Sequence, residues 1–353
     1  MGSSKRVSEC RYSRRCLMKY WSATAALYGL AGGLATDSLW AAERQTLRVA
    51  LSWIPNYEFS DLWIALERDY YAADELTIEW KSGGPNTPNP VERVASGEVD
   101  IGLQVTLRPV LEAISRGNDF VIFGARYQKR SGGILSLAKA PIKTIDDLVG
   151  KRIICPSVVD ARTVETALTV AGLPNDFTYV PGGYSPHGLL HGQGDGMVAF
   201  STNQPLLLEA QGMVAEEDFF HRSWDELGLP GYNTLFFAHR EFLRMRRESV
   251  VQFMRGLVRG WNVAKADMEY VTHLTVDKYG LDFGLDFDQQ LRALEVSKEF
   301  IHSEDTEAHG LFWVNETRLA GPIYDALRAG GVENLPDVES ILDMSIVTDA
   351  NRL

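Results

Sequence analysis

Cysteine is nearly missing from this chain of 353 residues: there are three, Cys10, Cys16 and Cys155. The first two lie close to the amino terminus, which leaves Cys155 alone in the body of the chain. A disulfide framework, a thiolate metal cluster and a redox pair each need at least two cysteines together, so all three are excluded. Cys155 sits in the apolar run Arg-Ile-Ile-Cys-Pro over 152–156 and reads as a buried strand residue. Basic charge is also short, with 35 Lys and Arg against 47 Asp and Glu. The first 42 residues carry +4 of the net charge of −12, so the remainder carries −16. A body so acidic repels nucleic acid and anionic lipid surfaces. No apolar run is long enough to cross a bilayer; residues 20–35 are weakly apolar and broken by Gly29, Gly32 and Gly33. Short-period repeats and low-complexity tracts are lacking, and no Gly-x-Ser-x-Gly elbow marks a serine hydrolase. His187, His191 and Asp195 stand four apart, but Gly188, Gly192, Gly194 and Gly196 deny them one continuous helix. No metal and no cofactor is therefore expected. The glycines of 192–196 precede a strand, which is the wrong context for a phosphate loop.

What is present begins with a processing segment. Ser-Arg-Arg-Cys-Leu-Met-Lys over 13–19 resembles a twin-arginine export signal. Cleavage is expected within 35–45, where Ala41 and Ala42 lie. Cys10 and Cys16 precede the apolar stretch, so no lipid anchor is indicated. The expectation is an exported, soluble, periplasmic monomer with residues 1–42 as its signal.

The remaining 311 residues exceed one average domain. Short apolar runs over 47–52, 76–80, 99–103 and 120–125 read as strands. Helical patterns over 62–71, 89–96 and 107–116 alternate with them. After Ser131, Gly132 and Gly133 the alternation restarts. Strands are expected at 134–138, 152–155, 178–180, 196–201 and 233–238, with helices at 144–149, 162–171 and 204–211. From Glu241 the pattern is helical almost to the end. This predicts an α/β chain with mostly parallel sheets. One lobe is formed by 43–131 with 236–353 and a second by 132–235, so two strands cross between lobes. Ligands bind in such clefts at the carboxyl ends of strands.

Three stretches carry a family resemblance. Ser-Gly-Gly-Pro-Asn-Thr-Pro-Asn-Pro over 82–90 leads to Val-Ala-Ser-Gly-Glu-Val-Asp-Ile-Gly over 94–102. Leu-Ser-Trp-Ile-Pro-Asn-Tyr occupies 51–57, and Ile-Asp-Asp-Leu-Val-Gly-Lys-Arg-Ile occupies 145–153. Together these resemble the periplasmic solute-binding proteins similar to those for thiamine-pyrimidine precursors, sulfonates and nitrate. The tryptophan loop resembles the pyrimidine-precursor branch. The resemblance implies a type II periplasmic-binding-protein fold with a hinge and a helical C-terminal tail. It also implies capture of a small molecule for an ABC permease with a cytoplasmic ATPase, and the missing catalytic motifs give the expectation of no enzymatic activity.

The ligand-binding set expected on this basis begins with Trp53, Asn56, Tyr57, Glu58 and Phe59 in the first loop. Gly83 and Gly84 allow close approach of the backbone. Gln104, Thr106, Tyr127 and Gln128 follow strands. Ser157, Asp160 and Arg162 come from the second lobe; Ser157 and Asp160 precede a helix, where anion binding competes with ordinary capping. Asn203 and Gln204 lie in Ser-Thr-Asn-Gln-Pro over 201–205, which resembles a family Thr-Asn-Glu-Pro stretch with Gln204 in place of the acid. A carboxylate favours an amino-bearing ligand, whereas an amide accepts a neutral one. The expected ligand is a flat nitrogen heterocycle, with sulfonate, nitrate and riboflavin as alternatives. Two further readings are a pyrimidine-synthase-like enzyme and a binding module coupled to a sensor. The synthase family carries a cysteine-rich stretch that this chain lacks.

Overall fold

Ten strands form two five-stranded sheets in the computed structural model, which describes residues 45–352. The expected export signal and its cleavage site lie outside the described residues. The first sheet has the order β2-β1-β3-β10-β4. It is built from β1 (Gln45–Ala50), β2 (Leu76–Lys81), β3 (Ile101–Gln104), β4 (Phe120–Tyr127) and β10 (Asn233–His239). The second has the order β7-β6-β8-β5-β9. Its strands are β5 (Gly132–Leu137), β6 (Arg152–Cys155), β7 (Thr178–Pro181), β8 (Gly196–Phe200) and β9 (Phe219–Ser223).

The sheets are mixed, where mostly parallel ones were expected. β1 pairs in parallel with β2 and β3, and β6 with β7 and β8. β10 runs antiparallel to β3 and β4, and β5 antiparallel to β8 and β9. The path of the chain explains the exceptions. β1, β2, β3 and β4 run one way in the first sheet, and β6, β7, β8 and β9 run one way in the second. β5 and β10 are the strands by which the chain enters a sheet from the other one. They start at the edge where the other strands finish, so they point the opposite way. The carboxyl ends of the remaining strands thereby face the junction of the two sheets. β9 had no sequence signal: Phe-Phe-His-Arg-Ser alternates poorly, and the strand exists through its ladder with β5.

Helices cover both faces of the first sheet. On one face lie α1 (Ser60–Glu67) and α7 (Arg240–Ala264), packed around Trp63, Phe253 and Trp261. On the other lie α2 (Pro90–Ala95) and α3 (Leu107–Ser115), around Val110, Phe120 and Phe237. The second sheet is flanked by α4 (Val158–Val170) on one side, with α5 (His187–Leu190) and α6 (Gln204–Glu209) on the other. α8 (Met268–Leu274) and α9 (Phe287–Ile301) open the helical C-terminal region. The segment expected as a helix over 144–149 is a single 3-10 turn, Ile145–Leu148, whose capping box joins Thr144 to Asp147.

Two segments, 128–131 and 224–232, carry the chain between the sheets, and they are braced to each other. Asn233 accepts from the Ser131 N–H at 3.3 Å and donates to the Val105 carbonyl at 2.7 Å. Arg318 donates to the Gln128 carbonyl at 2.6 Å and to Asp225 at 2.9 Å, so one guanidinium holds both crossings.

α1 and α7 approach until backbone meets backbone. A Cβ on Gly260 would stand 2.0 Å from the carbonyl oxygen of Asp61. Gly260→Ala must push the helices apart, and overpacking of this kind costs about 2 kcal/mol. Urea unfolding should show a lower midpoint with an unchanged slope. An unchanged midpoint would mean that the helices separate freely.

Candidate functional site

The chain after β1 builds one wall of the junction. Asn56 caps a short 3-10 turn, Tyr57–Phe59, by accepting the Glu58 N–H at 3.0 Å. Trp63 donates its indole N–H to the Asn56 carbonyl at 3.1 Å, which ties the turn to the core beneath. Gly83 lies flat against the same loop. Its N–H donates to the Trp53 carbonyl at 3.0 Å, and a Cβ there would sit 2.6–2.8 Å from the backbone of residues 51–53. Gly84 has φ +134°, a conformation that L side chains rarely adopt. The Gly-Gly pair thus fixes where Trp53 stands.

Glu58 is the charged centre of this wall. Its Oε1 accepts from the Ser52 hydroxyl at 2.9 Å and the Thr234 hydroxyl at 2.6 Å. Thr234 has φ +54°, unusual for a β-branched residue and a mark of local strain. Protein surrounds the carboxylate, while part of the Glu58 surface still faces open space. Burial holds its pKa above the ordinary glutamate range. The Thr234 and Ser52 hydroxyls and the charge of Arg126 pull the other way, and Asp61 adds to the rise.

Beneath Glu58 lies an ion pair with almost no solvent contact. Arg126 on β4 approaches Asp61 of α1 at 2.8 Å, with side chains 2% and 0% exposed. The guanidinium also stands over the rings of Phe59, Phe236 and Phe312 at 5.7–5.9 Å. Burial opposes its charge, but Asp61 outweighs burial and the guanidinium pKa rises. One cation therefore faces two carboxylates and is committed to Asp61. Glu58, when ionised, is left with hydroxyl donors alone.

The second sheet supplies the opposite wall. Tyr57 donates its hydroxyl to Thr202 at 2.6 Å, and Gln289 of α9 donates to Asn203 at 3.3 Å. Arg292 pairs with Glu209 at 3.1 Å on the same side. Trp53 meets Tyr184 edge to face with centroids 6.4 Å apart, and Tyr184 is 45% exposed. Tyr184, Thr202, Ser52 and Thr234 were not anticipated from sequence. A tyrosine just past the glycine pair 182–183 was the one available signal for Tyr184.

The expected residues divide on this geometry. Trp53, Asn56, Tyr57, Glu58, Gly83 and Gly84 come together on the first wall, with Asn203 opposite. Gln104 ends β3 buried, with its Oε1 unpartnered among the described residues. Tyr127 is buried and meets Phe300 edge to face. Phe59 is a core residue at 0% exposure, so it supports the loop from below instead of facing a ligand. Gln128 is likewise buried, donating to the Ala125 carbonyl and accepting from Ser303, both at 3.3 Å. Gln204 has both ends of its amide on backbone, accepting from the Phe200 N–H at 2.8 Å and donating to the Tyr184 carbonyl at 2.9 Å. It positions Tyr184 and has no free polar atom for a ligand. Ser157 caps α4, accepting from the Asp160 N–H at 3.2 Å and donating to its carboxylate at 2.7 Å. Thr106 lies at the mouth of α3, in a separate cavity. His187 and His191 stack on each other, and Asp195 is committed to Arg152 at 2.8 Å.

The model of the NMT1/THI5-like family matches residues 56–269 of the chain. A formylaminopyrimidine-binding protein of Halalkalibacterium halodurans is 24% identical over 235 residues, covering 63% of this chain and 68% of that protein. Among solved structures, the periplasmic aliphatic sulphonate binding protein SsuA from Escherichia coli is similar at a TM-score of 0.63 and 17% identity. That match spans 84% of this chain and 97% of the other. The desulfurization enzyme DSZB is similar at 0.55 and 15%, over 87% and 99%. The fold is the periplasmic-binding-protein fold, and it carries both binding proteins and an enzyme.

Gly83→Ala should displace the Trp53 loop, because the added methyl meets backbone and not a mobile side chain. The tryptophan emission of the folded protein is expected to shift, with far-UV circular dichroism unchanged. Emission identical to that of the parent would show that the loop does not depend on this glycine.

Proposed function

The chain belongs to the NMT1/THI5-like family, and on that premise we propose that it is the substrate-binding component of an ABC importer, exported to the periplasm. Its ligand is a flat nitrogen heterocycle of the thiamine-pyrimidine kind, captured between two lobes and handed to the permease. The observation that carries this reading is Glu58, a carboxylate left without a cation at the junction of the sheets, beside Trp53 and Tyr184. An exocyclic amino group donates to such a carboxylate, and aromatic faces hold the ring. A sulfonate or nitrate brought to the same wall would meet repulsion. The acid missing at Gln204 is thus supplied from the other wall.

Capture follows from the same contacts. The crossings at 128–131 and 224–232 serve as the hinge. The bonds Tyr57–Thr202, Gln289–Asn203 and Arg292–Glu209 latch the closed form. Burial pushes the Cys155 thiol up to about 12, which supports binding over cysteine-based chemistry.

A thermal-shift screen of pyrimidines, flavins, alkyl sulfonates and nitrate is expected to single out an amino-bearing pyrimidine. Glu58→Gln should weaken that ligand roughly 10- to 100-fold, as expected for loss of a charged hydrogen bond. The sign of the pH effect follows from the raised pKa. Binding needs the ionised carboxylate, so affinity should rise with pH between the ordinary glutamate range and the raised value, and the Gln variant should be flat there. Over the same window the free protein should lose stability as pH rises, because the native state holds the proton more tightly. Stabilisation by an alkyl sulfonate and by no heterocycle would overturn the proposal.

A further inference from the structure

A second cavity, of about 260 Å³, lies on the other face of the first sheet, and of the residues expected at the cleft it takes Thr106 and Arg162. The first-sheet side contributes the start of α3 and the helix Tyr324–Ala329 through Ala326 and Leu327. The second contributes α4, and the crossing over 229–232 closes the back. Its charged lining is Arg108, Arg130 and Arg162 against Glu112 alone. Within an acidic protein, three guanidiniums around one small space are a local reversal of sign.

Two of these three arginines are not spent on other groups. Arg108 bonds the Gly330 carbonyl and approaches Glu112 at 3.6 Å. Arg130 and Arg162 have no hydrogen bond from their guanidinium groups and no ion pair among the described residues. Asp225, the acid nearest Arg130, accepts its backbone N–H and pairs with Arg318. Burial lowers the pKa of Arg130 to about 10, and the charge of Asp225, already paired with Arg318, only partly offsets the fall. Two glycines make room for the side chains. A Cβ on Gly231 would stand 2.6 Å from Cδ of Arg130, and one on Gly330 would stand 2.7 Å from Nη2 of Arg108. The start of α3 lines this space without a side-chain cap, and of its first three residues Leu107 and Arg108 carry N–H groups while Pro109 has none. Much of the remaining lining is apolar, including Leu107, Val159 and Ile323.

We propose that this cavity is a binding site for a small oxyanion, a phosphate or its short alkyl ester, held by Arg130, Arg162 and the amino end of α3. The volume admits little more than the anion and a few carbons. Residues from both sheets meet in it, so a bound anion favours the arrangement in which the sheets are together. The site takes its anion without needing the heterocycle, and because both ligands favour the sheets together, each raises the affinity for the other and ties capture at Glu58 to the supply of that anion.

The test uses the whole protein at constant ionic strength set by chloride. Calorimetry and thermal shift are run with inorganic phosphate and with ethyl phosphate. Saturable binding is expected for both, and the two arms show whether the apolar lining favours the ester. Arg130→Gln and Arg162→Gln should each weaken phosphate at least 10-fold, while Glu58→Gln leaves it unchanged. Arg162 is exposed and carries no structural bond, so its variant folds whatever Arg130→Gln does. A phosphate response no larger than that of chloride, or unaltered phosphate affinity in Arg162→Gln, would overturn the assignment.

Discussion

The structure around the junction depends on the buried pair of Asp61 and Arg126. Removing both charges from water is costly, and their attraction at 2.8 Å recovers that cost only in good geometry. The aromatic rings around Arg126 provide part of that geometry, since two of its nitrogens have no hydrogen-bond partner. The pair joins the first turn of α1 to β4. It therefore fixes the turn that ends at Phe59, and with it Tyr57 and Glu58. Gly260 makes the same point from the other side: α7 can press on the Asp61 backbone because no side chain intervenes. Core packing and site geometry meet at one residue.

The pair also determines the electrostatics above it. With Arg126 committed to Asp61, ionised Glu58 is a negative charge in a half-enclosed place. The field acts on Tyr57 as well. Burial and then the Glu58 charge raise the Tyr57 pKa, so the phenol stays protonated. A protonated phenol is a donor, and it is spent on Thr202 of the second sheet. The charge proposed to select the ligand and the hydroxyl that joins the walls are adjacent in sequence. Neither works without the turn that Asn56 caps.

The legible part of this fold was what local pattern determines. Short apolar runs located nine of the ten strands described, and the helical pattern from Glu241 located the long helix. The mixed direction of the strands was not legible, because it follows from which strand the chain enters after crossing, and no residue carries that. The loop of Trp53, Asn56 and Glu58 could be read because its turn chemistry is local. Phe59 and Gln128 were misplaced because position after a strand says nothing about which way a side chain turns. Gln204 read as a ligand contact, yet its amide is the device that holds Tyr184. Arg126 gave no warning either: a lone arginine in Phe-Gly-Ala-Arg-Tyr is intelligible only once Asp61, far along the chain, is beside it.

Charge placement links the two sites. The protein is acidic overall, yet its arginines at the junction fall into two kinds. Arg126 and Arg318 are closed by Asp61 and Asp225 and hold strands and crossings in place. Arg130 and Arg162 are left open. The half-buried Arg130, without an ion pair among the described residues, is a cost in the free protein, and a strained Thr234 with an unpaired carboxylate at Glu58 is so in the same sense. Each cost is relieved by a partner of opposite sign or matching donor. A protein whose uncompensated groups gather where its two sheets meet is most stable with that junction filled. Closure on a ligand that pairs these groups, as proposed, would relieve both costs at once.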